Sequence, residues 1–183
     1  MNHTLLPQVA PCFVSHNMAL GGAQTAVLRY IQALPEWVRD RTTLYSQSDD
    51  TPLLDQAVKG GFDCGNITRE APGDPSMWFL SYGNLDGLPE RPTSLVLHSW
   101  DDAGWRYFSK AYEGRRGMTV AGVSQQVMNR YGDWIQENGH TSGGILPPPV
   151  TEFCMAKGNL DPKGRLVVGW MGRPLKDKGL MTL

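Results

Sequence analysis

The sequence predicts an α/β domain in which a mostly parallel sheet is covered by helices on both faces. Short apolar runs alternate with segments of helical period along most of the chain, and glycine or proline separates them. Several of these runs are apolar at nearly every position, as expected for strands buried on both faces. The 183 residues give room for one well-buried domain and a short remainder.

The first half opens with a strand, a glycine-rich turn and a helix. The apolar run at 12–16 is followed by Gly21 and Gly22, which indicate a turn. Apolar residues then recur at three- and four-residue steps over 23–34 until Pro35 ends the pattern, which predicts an amphipathic helix. Further predicted elements are a strand at 42–46, a short helix at 53–58 and a strand at 77–81.

The second half continues the alternation as far as a proline-rich connector. Strands are predicted at 93–98 and 118–123, and Ser124 is placed to cap a helix that ends at Gly139. Consecutive prolines make 145–150 a stiff extended segment, and an apolar run at 165–171 begins a new strand. We therefore expect one Rossmann-like domain at 1–149, with 150–183 as a linker and the first strand and loop of a second, truncated domain. Within the first domain, the strands at 13–16, 95–98 and 120–123 are expected to be parallel neighbours, with Gly21, His98 and Ser124 near one carboxyl edge.

Composition excludes several classes of protein. The formal net charge is −1 and no block of Lys or Arg recurs, so the chain lacks the basic surface that nucleic acids or anionic membranes require. The three cysteines are scattered, which predicts free and mostly buried thiols. No apolar run approaches the roughly 18 residues of a membrane span, and no leader pattern opens the chain, so a cytoplasmic location is expected.

Gly21 and Gly22 form the first candidate site. Glycines at the start of a helix let backbone N–H groups approach a phosphate, where the helix dipole favours negative charge. An ordinary tight turn between strand and helix would have the same sequence.

His98 forms the second candidate site, at the end of a predicted strand. The carboxyl end of a parallel strand opens into the crevice where α/β proteins bind ligands. A histidine with only a structural role remains the alternative. Asp101 and Asp102 follow; they lack an Asp-x-Asp metal-binding spacing, and a cap on the helix after Asp102 is the better explanation.

Arg173 and Lys178 form the third candidate site, within the segment Val168-Gly-Trp-Met-Gly-Arg-Pro-Leu-Lys-Asp-Lys-Gly-Leu180. Two cations can stabilise the charge that develops on a departing diphosphate without a metal ion. A solvated basic loop is the alternative explanation.

Taken in order, these three motifs resemble those of glycosyltransferase family 4, whose members have the GT-B fold. The resemblance implies an enzyme that transfers a sugar from a nucleotide-diphosphate sugar to a carbohydrate or lipid-linked acceptor, with retention and without a metal or other cofactor. It also implies catalytic roles for His98, Arg173 and Lys178, and donor-phosphate contacts from Gly21, Gly22, Arg173 and Lys178.

The sequence departs from the family pattern in two places. Gln24 stands where glutamate is usual after the glycine pair, and Pro148 and Pro149 replace the usual Asn-Gly before the second domain. The nucleotide-contacting glutamates of the family would follow Leu183, so we expect this stretch alone to be inactive. A sugar-nucleotide epimerase of the same fold and a non-catalytic module that binds an acceptor or partner remain open alternatives. The sequence predicts no oligomeric state.

Overall fold

The computed structural model of the chain describes residues 10–18, 21–48, 52–59, 61, 63–66, 74–83, 86 and 88–149. The chain divides into two units, Met1–Val150 and Thr151–Leu183, and every described residue lies in the first. The strand predicted at 165–171 and the motif with Arg173 and Lys178 lie outside the described residues.

Seven strands and five helices form this part of the chain. The strands are β1 (Pro11–Ser15), β2 (Thr43–Ser46), β3 (Asp63–Asn66), β4 (Met77–Ser81), β5 (Thr93–Leu97), β6 (Thr119–Gly122) and β7 (Thr141–Ile145). The helices are α1 (Gly22–Ala33), α2 (Glu36–Arg39), α3 (Pro52–Lys59), α4 (Asp102–Ala111) and α5 (Gln125–Glu137).

The strands join in one parallel sheet of order β3-β2-β1-β4-β5-β6-β7. The chain builds outward from β1 to β3, returns to the other side of β1 with β4, and then builds outward to β7. This order confirms the predicted Rossmann-like α/β fold. It places the topological switch point between β1 and β4.

Successive side chains of the strands point to opposite faces of the sheet and form two apolar layers, one on each face. Cys12, Val14, Leu95 and Leu97 pack with buried residues of α4 and α5 on one face of the sheet. On the other face, the intervening Phe13, Leu44 and Val96 pack with buried residues of α1 and α3. Because side chains alternate across a strand, apolar runs such as these bury both faces of the sheet.

Two helix boundaries follow the predicted sequence signals. Helix α1 ends at Ala33, and Pro35 is the N-cap residue of the short helix α2. Helix α5 begins after Ser124, whose hydroxyl accepts a hydrogen bond from the Val127 backbone N–H, and Gly139 follows its end with φ +66°. Both the capping serine and the terminating glycine were predicted from the sequence.

Three details of the predicted architecture were wrong. The strands at 13–16 and 95–98 were expected to be neighbours, but β4 lies between them because its buried Trp78 and Leu80 fill the centre of the sheet. Strands β3 and β7 were not predicted, since neither has an apolar run. Ile145 belongs to β7, so the connector begins one residue later than expected.

Two of the three cysteines lie among the described residues. Cys12 is buried and Cys64 partly buried, both as free thiols, while Cys154 lies outside the described ranges. Burial raises the pKa of Cys12 to about 11 and that of Cys64 to about 12, so both thiols stay protonated near neutral pH. No helix in the described ranges has the length and apolarity needed to cross a lipid bilayer.

Candidate functional site

The candidate site lies where β1, β4 and β5 end at the carboxyl edge of the sheet. His16 follows β1, Tyr82 follows β4 and His98 follows β5. Because all strands are parallel, these residues share the edge that also carries Gly21 and Ser124, as the sequence predicted. This edge includes the switch point, which is where α/β sheets open a crevice for ligands.

A short turn at Ser81–Gly83 forms the centre of this edge. Gly83 lies against β1 so closely that an added Cβ would stand 2.8 Å from the Val14 carbonyl oxygen. The Tyr112 hydroxyl donates a hydrogen bond to the Gly83 carbonyl, and Tyr82 forms an isolated antiparallel bridge with Ser15. Contacts with β1 and α4 therefore fix this turn on two sides.

Tyr82 has φ +58°, and it is the only residue other than glycine with a positive φ in the described part of the chain. The Tyr107 hydroxyl donates a hydrogen bond to the Tyr82 carbonyl oxygen at 2.7 Å. A bulky residue in this backbone conformation costs on the order of 1–3 kcal/mol and persists only where its surroundings fix it. Such residues are concentrated at functional sites.

His98 lies half-buried between the turn and β5. Its Nε2 is 3.0 Å from the Ser81 hydroxyl oxygen, and its ring stacks against that of Tyr82 with centroids 5.7 Å apart and an angle of 22° between planes. Burial lowers the pKa of His98 to about 4, so the imidazole is neutral near pH ~7. A neutral imidazole offers one donor and one acceptor, and no charge, to a ligand.

Aromatic rings extend the site on both sides of His98. Tyr107 contacts the Tyr82 ring at a centroid distance of 5.9 Å and the exposed His16 ring at 6.4 Å. Trp100 is 55% exposed and lines a small open cavity of about 370 Å³ with Asp101, Asp102 and Arg130. Flat apolar faces beside a few polar groups suit a ligand that has both apolar and hydroxyl-bearing surfaces.

The acidic pair beside the site has structural partners. The Asp101 carboxylate caps α4 by accepting from the Gly104 backbone N–H at 2.7 Å, and it also accepts from the Ser99 hydroxyl at 2.7 Å. Asp102 accepts from Arg130 at 2.9 Å. Asp101 is therefore the cap of α4, whereas Asp102 is the first residue of that helix and does not cap it. The described residues contain no group of three His, Cys, Asp or Glu side chains placed to hold a metal ion.

The glycine pair forms the N-terminus of α1. Gly21 is the N-cap residue with an extended backbone, and Gly22 is the first helical residue. The Gln24 side chain folds back over Gly21, where its Oε1 would stand 2.5 Å from an added Cβ, and its amide donates to Asn17 Oδ1 at 3.0 Å. An added Cβ at 21 would meet only the flexible end of the Gln24 side chain, which can move aside, so this contact does not by itself require glycine. The Gln24 side chain joins the turn to the loop after β1.

Sequence reasoning found His98 and the glycine pair but not the residues that surround them. Ser81, Tyr82 and Tyr107 were not singled out, because Ser81 closes an apolar run and the two tyrosines fit an ordinary core pattern. The available signal was Ser-Tyr-Gly directly after a buried strand, where a crevice residue is expected. Arg173 and Lys178 lie outside the described residues, so their predicted roles remain predictions.

A larger cavity lies at the opposite edge of the sheet. It has a volume of about 720 Å³ and is lined by residues from the amino ends of β4, β5 and β6, among them Trp78, Arg91 and Arg116. Parallel strands direct their ligand crevice to the carboxyl edge, so this cavity does not belong to the candidate site.

The fold and the edge geometry define a Rossmann-like α/β domain whose carboxyl edge carries a neutral histidine among aromatic side chains. Comparison of the chain with known protein families, with curated proteins and with solved structures finds no match.

Proposed function

We propose that this chain is the acceptor-side part of a glycosyltransferase that moves a sugar from a nucleotide-diphosphate sugar to a carbohydrate or lipid-linked acceptor. The observation that carries the proposal is the position of His98 beside Tyr82 at the carboxyl end of β5, next to the switch point. Together with the order of the three sequence motifs, this geometry favours a sugar ligand in the crevice.

The chemistry of the edge supports a sugar better than a charged ligand. Sugar rings combine apolar faces, which pack on aromatic side chains, with hydroxyl groups that need donors and acceptors. The half-buried Tyr82 and Tyr107 and the exposed Trp100 supply faces, and neutral His98 supplies hydrogen bonds. The hydrogen bond and the ring stack of His98 are made with Ser81 and Tyr82, both uncharged side chains.

The positive charge that the proposed reaction needs comes from Arg173 and Lys178. In this proposal, the two side chains neutralise the departing nucleoside diphosphate, while the Gly21–Gly22 backbone contributes N–H groups to the donor phosphates. In the same proposal, the His98 side chain contacts the transferred sugar. In the proposed reaction no cofactor takes part, and the transferred sugar keeps its configuration. A cytoplasmic location is part of the same proposal.

The test compares two proteins. One is the 183-residue chain, and the other joins the same segment to a complete donor-binding domain from a GT-B enzyme. Both are assayed for sugar transfer, donor hydrolysis and donor epimerisation with UDP- and GDP-sugars. We expect transfer by the fusion protein only, because donor and acceptor must be aligned across a cleft, and such alignment contributes about 7–11 kcal/mol to lowering a barrier.

Arg173→Ala in the fusion protein tests the role of the cation. Loss of one preorganised charge partner typically lowers kcat about 100- to 1000-fold, and we expect a fall in that range. Epimerised donor without transfer would favour the epimerase alternative. No turnover by a folded fusion protein with any donor would contradict the proposal and favour a binding module.

A further inference from the structure

The hydrogen bonds open to Ser81 bear on which ring nitrogen of His98 carries the proton. Ser81 is 1% exposed, and its hydroxyl has one hydrogen-bond partner in the described part of the chain, Nε2 of His98. A serine hydroxyl has a single proton to donate. If Nε2 carried its own proton and donated to Ser81, the buried serine proton would have no acceptor, which is costly. If Ser81 donates instead, both groups are satisfied.

We propose that Ser81 is a positioning residue that holds His98 in the tautomer with its proton on Nδ1, so that Nδ1–H donates to an acceptor oxygen of the ligand. Which ring nitrogen carries the proton follows from the hydrogen bond made by the other nitrogen. Nδ1 has no partner among the described residues, so it is the ring nitrogen available to a ligand.

This assignment gives His98 a defined chemistry. A neutral ring with its acceptor nitrogen engaged by Ser81 does not remove a proton from a substrate; it donates one hydrogen bond. Its partner is an acceptor oxygen, which the proposed function makes a sugar hydroxyl or ring oxygen. The ligand class rests on the proposed function, whereas the tautomer rests on Ser81 alone.

Two further contacts restrict the ring. The Tyr82 ring stacks on the imidazole, and the Tyr107 hydroxyl holds the Tyr82 carbonyl, so the ring plane is set from the turn after β4. A half-turn of the ring about Cβ–Cγ would place Cε1 where Nε2 now lies and would break the Ser81 bond. The turn at Ser81–Gly83 thus determines both the orientation and the tautomer of His98.

His140 provides an opposite case within the same molecule. The Met118 backbone N–H donates to His140 Nδ1 at 3.4 Å, so His140 must carry its proton on Nε2. Its side chain is 8% exposed, and burial lowers its pKa, which keeps this ring neutral as well. The two histidines are therefore expected to show opposite tautomers in one spectrum.

The experiment is a long-range ¹H–¹⁵N correlation spectrum of the uniformly labelled 183-residue chain at about pH 7, where histidine rings with lowered pKa values are neutral. Ring signals are assigned with His98→Gln and His140→Gln. We expect His98 to show a protonated Nδ1 and an unprotonated Nε2, and His140 to show the reverse. A protonated Nε2 on His98, or an averaged pair of signals, would overturn the proposal.

Ser81→Ala then tests the role of the serine, with Ser46→Ala as the matched control. Ser46 is equally buried at the end of β2, but its hydroxyl donates to the Ser48 carbonyl. We expect the Nδ1–H pattern of His98 to be lost in Ser81→Ala and kept in Ser46→Ala. An unchanged pattern in Ser81→Ala would refute the positioning role; if that variant does not fold, the unmodified chain still decides the tautomer.

The same variants separate this proposal from the transferase proposal. The spectrum is read without a ligand, so an inactive fusion protein contradicts the transferase alone. An Nε2-protonated His98 in an active fusion protein contradicts the tautomer assignment alone.

Discussion

His98 illustrates how a buried side chain couples function to stability. The interior that keeps its imidazole neutral penalises protonation, so the pKa falls to about 4 from an ordinary value of about 6.5. Between those two values the unfolded chain binds more protons than the folded chain. The folded state therefore loses stability as the pH falls below about 6.5, and the loss is complete below the folded pKa.

We predict that His98→Gln reduces this dependence on pH. From about pH 7 to pH 4, the free energy of unfolding of the unmodified chain should fall by about 2–3 kcal/mol more than that of the variant, allowing for the partial exposure of the ring. Urea unfolding at several pH values measures the difference. His140 is present in both proteins, so its contribution cancels. Parallel pH profiles for the two proteins would contradict the assignment of the lowered pKa to His98.

The residue scale also shows what sequence alone can predict about the site. His98 could be found because a polar residue at the end of an apolar run is expected to face a crevice. Tyr82 could not, because its positive φ results from tertiary contacts with Tyr107 and Ser15 that no local pattern encodes.

At the scale of elements, the helices were better predicted than the edge strands. Apolar periodicity and capping residues are local signals, and they gave α1 and α5 to within a residue or two. Strand β7 is exposed at all five positions and contains Gly143 and Gly144, with a register shift opposite Val120 and Ala121. Its pairing with β6 determines that it is a strand, and pairing is not visible in a single sequence.

Two glycines in different elements should respond oppositely to alanine. At Gly83 a Cβ would lie 2.8 Å from the Val14 carbonyl oxygen, a backbone atom that cannot move aside, so Gly83→Ala should lower stability by about 1–3 kcal/mol. Gly132 is exposed within α5 and has open space around it, so Gly132→Ala should raise stability by about 0.5–1 kcal/mol. Thermal and urea unfolding measure both. A neutral Gly83→Ala would show that the turn does not lie against β1.

At the scale of the whole domain, the parallel sheet gives its two edges different roles. The carboxyl edge collects His16, Tyr82, His98 and Trp100, while the larger cavity lies at the amino edge. The fold class was predictable because alternating strands and helices admit few topologies. The central position of β4 was not, since it depends on which strand crosses back to β1.

We predict that, of the two edges of this sheet, activity depends on the carboxyl edge and not on the amino edge. In the fusion protein, His98→Ala should lower kcat/KM for transfer about 100-fold, a typical loss for one preorganised hydrogen-bond donor. Arg116→Ala, at the amino-edge cavity, should leave kcat/KM within about two-fold of the unmodified protein, since surface substitutions away from a site have small effects. Steady-state kinetics measure both variants. A large loss with Arg116→Ala alone would move the site to the other edge.

The position of β1 between β2 and β4 also has a consequence for the order in which the protein can fold on the ribosome. Ala10, beside β1, is hydrogen-bonded to Ser76, 66 residues further along the chain. At a synthesis rate of about 5–20 residues per second, β4 is made roughly 3–13 seconds after β1. During that interval β2 can cover only one side of β1. The nascent chain therefore carries an unpaired edge of an apolar strand until β4 emerges, and the site around His98 cannot form before β5 has been made as well.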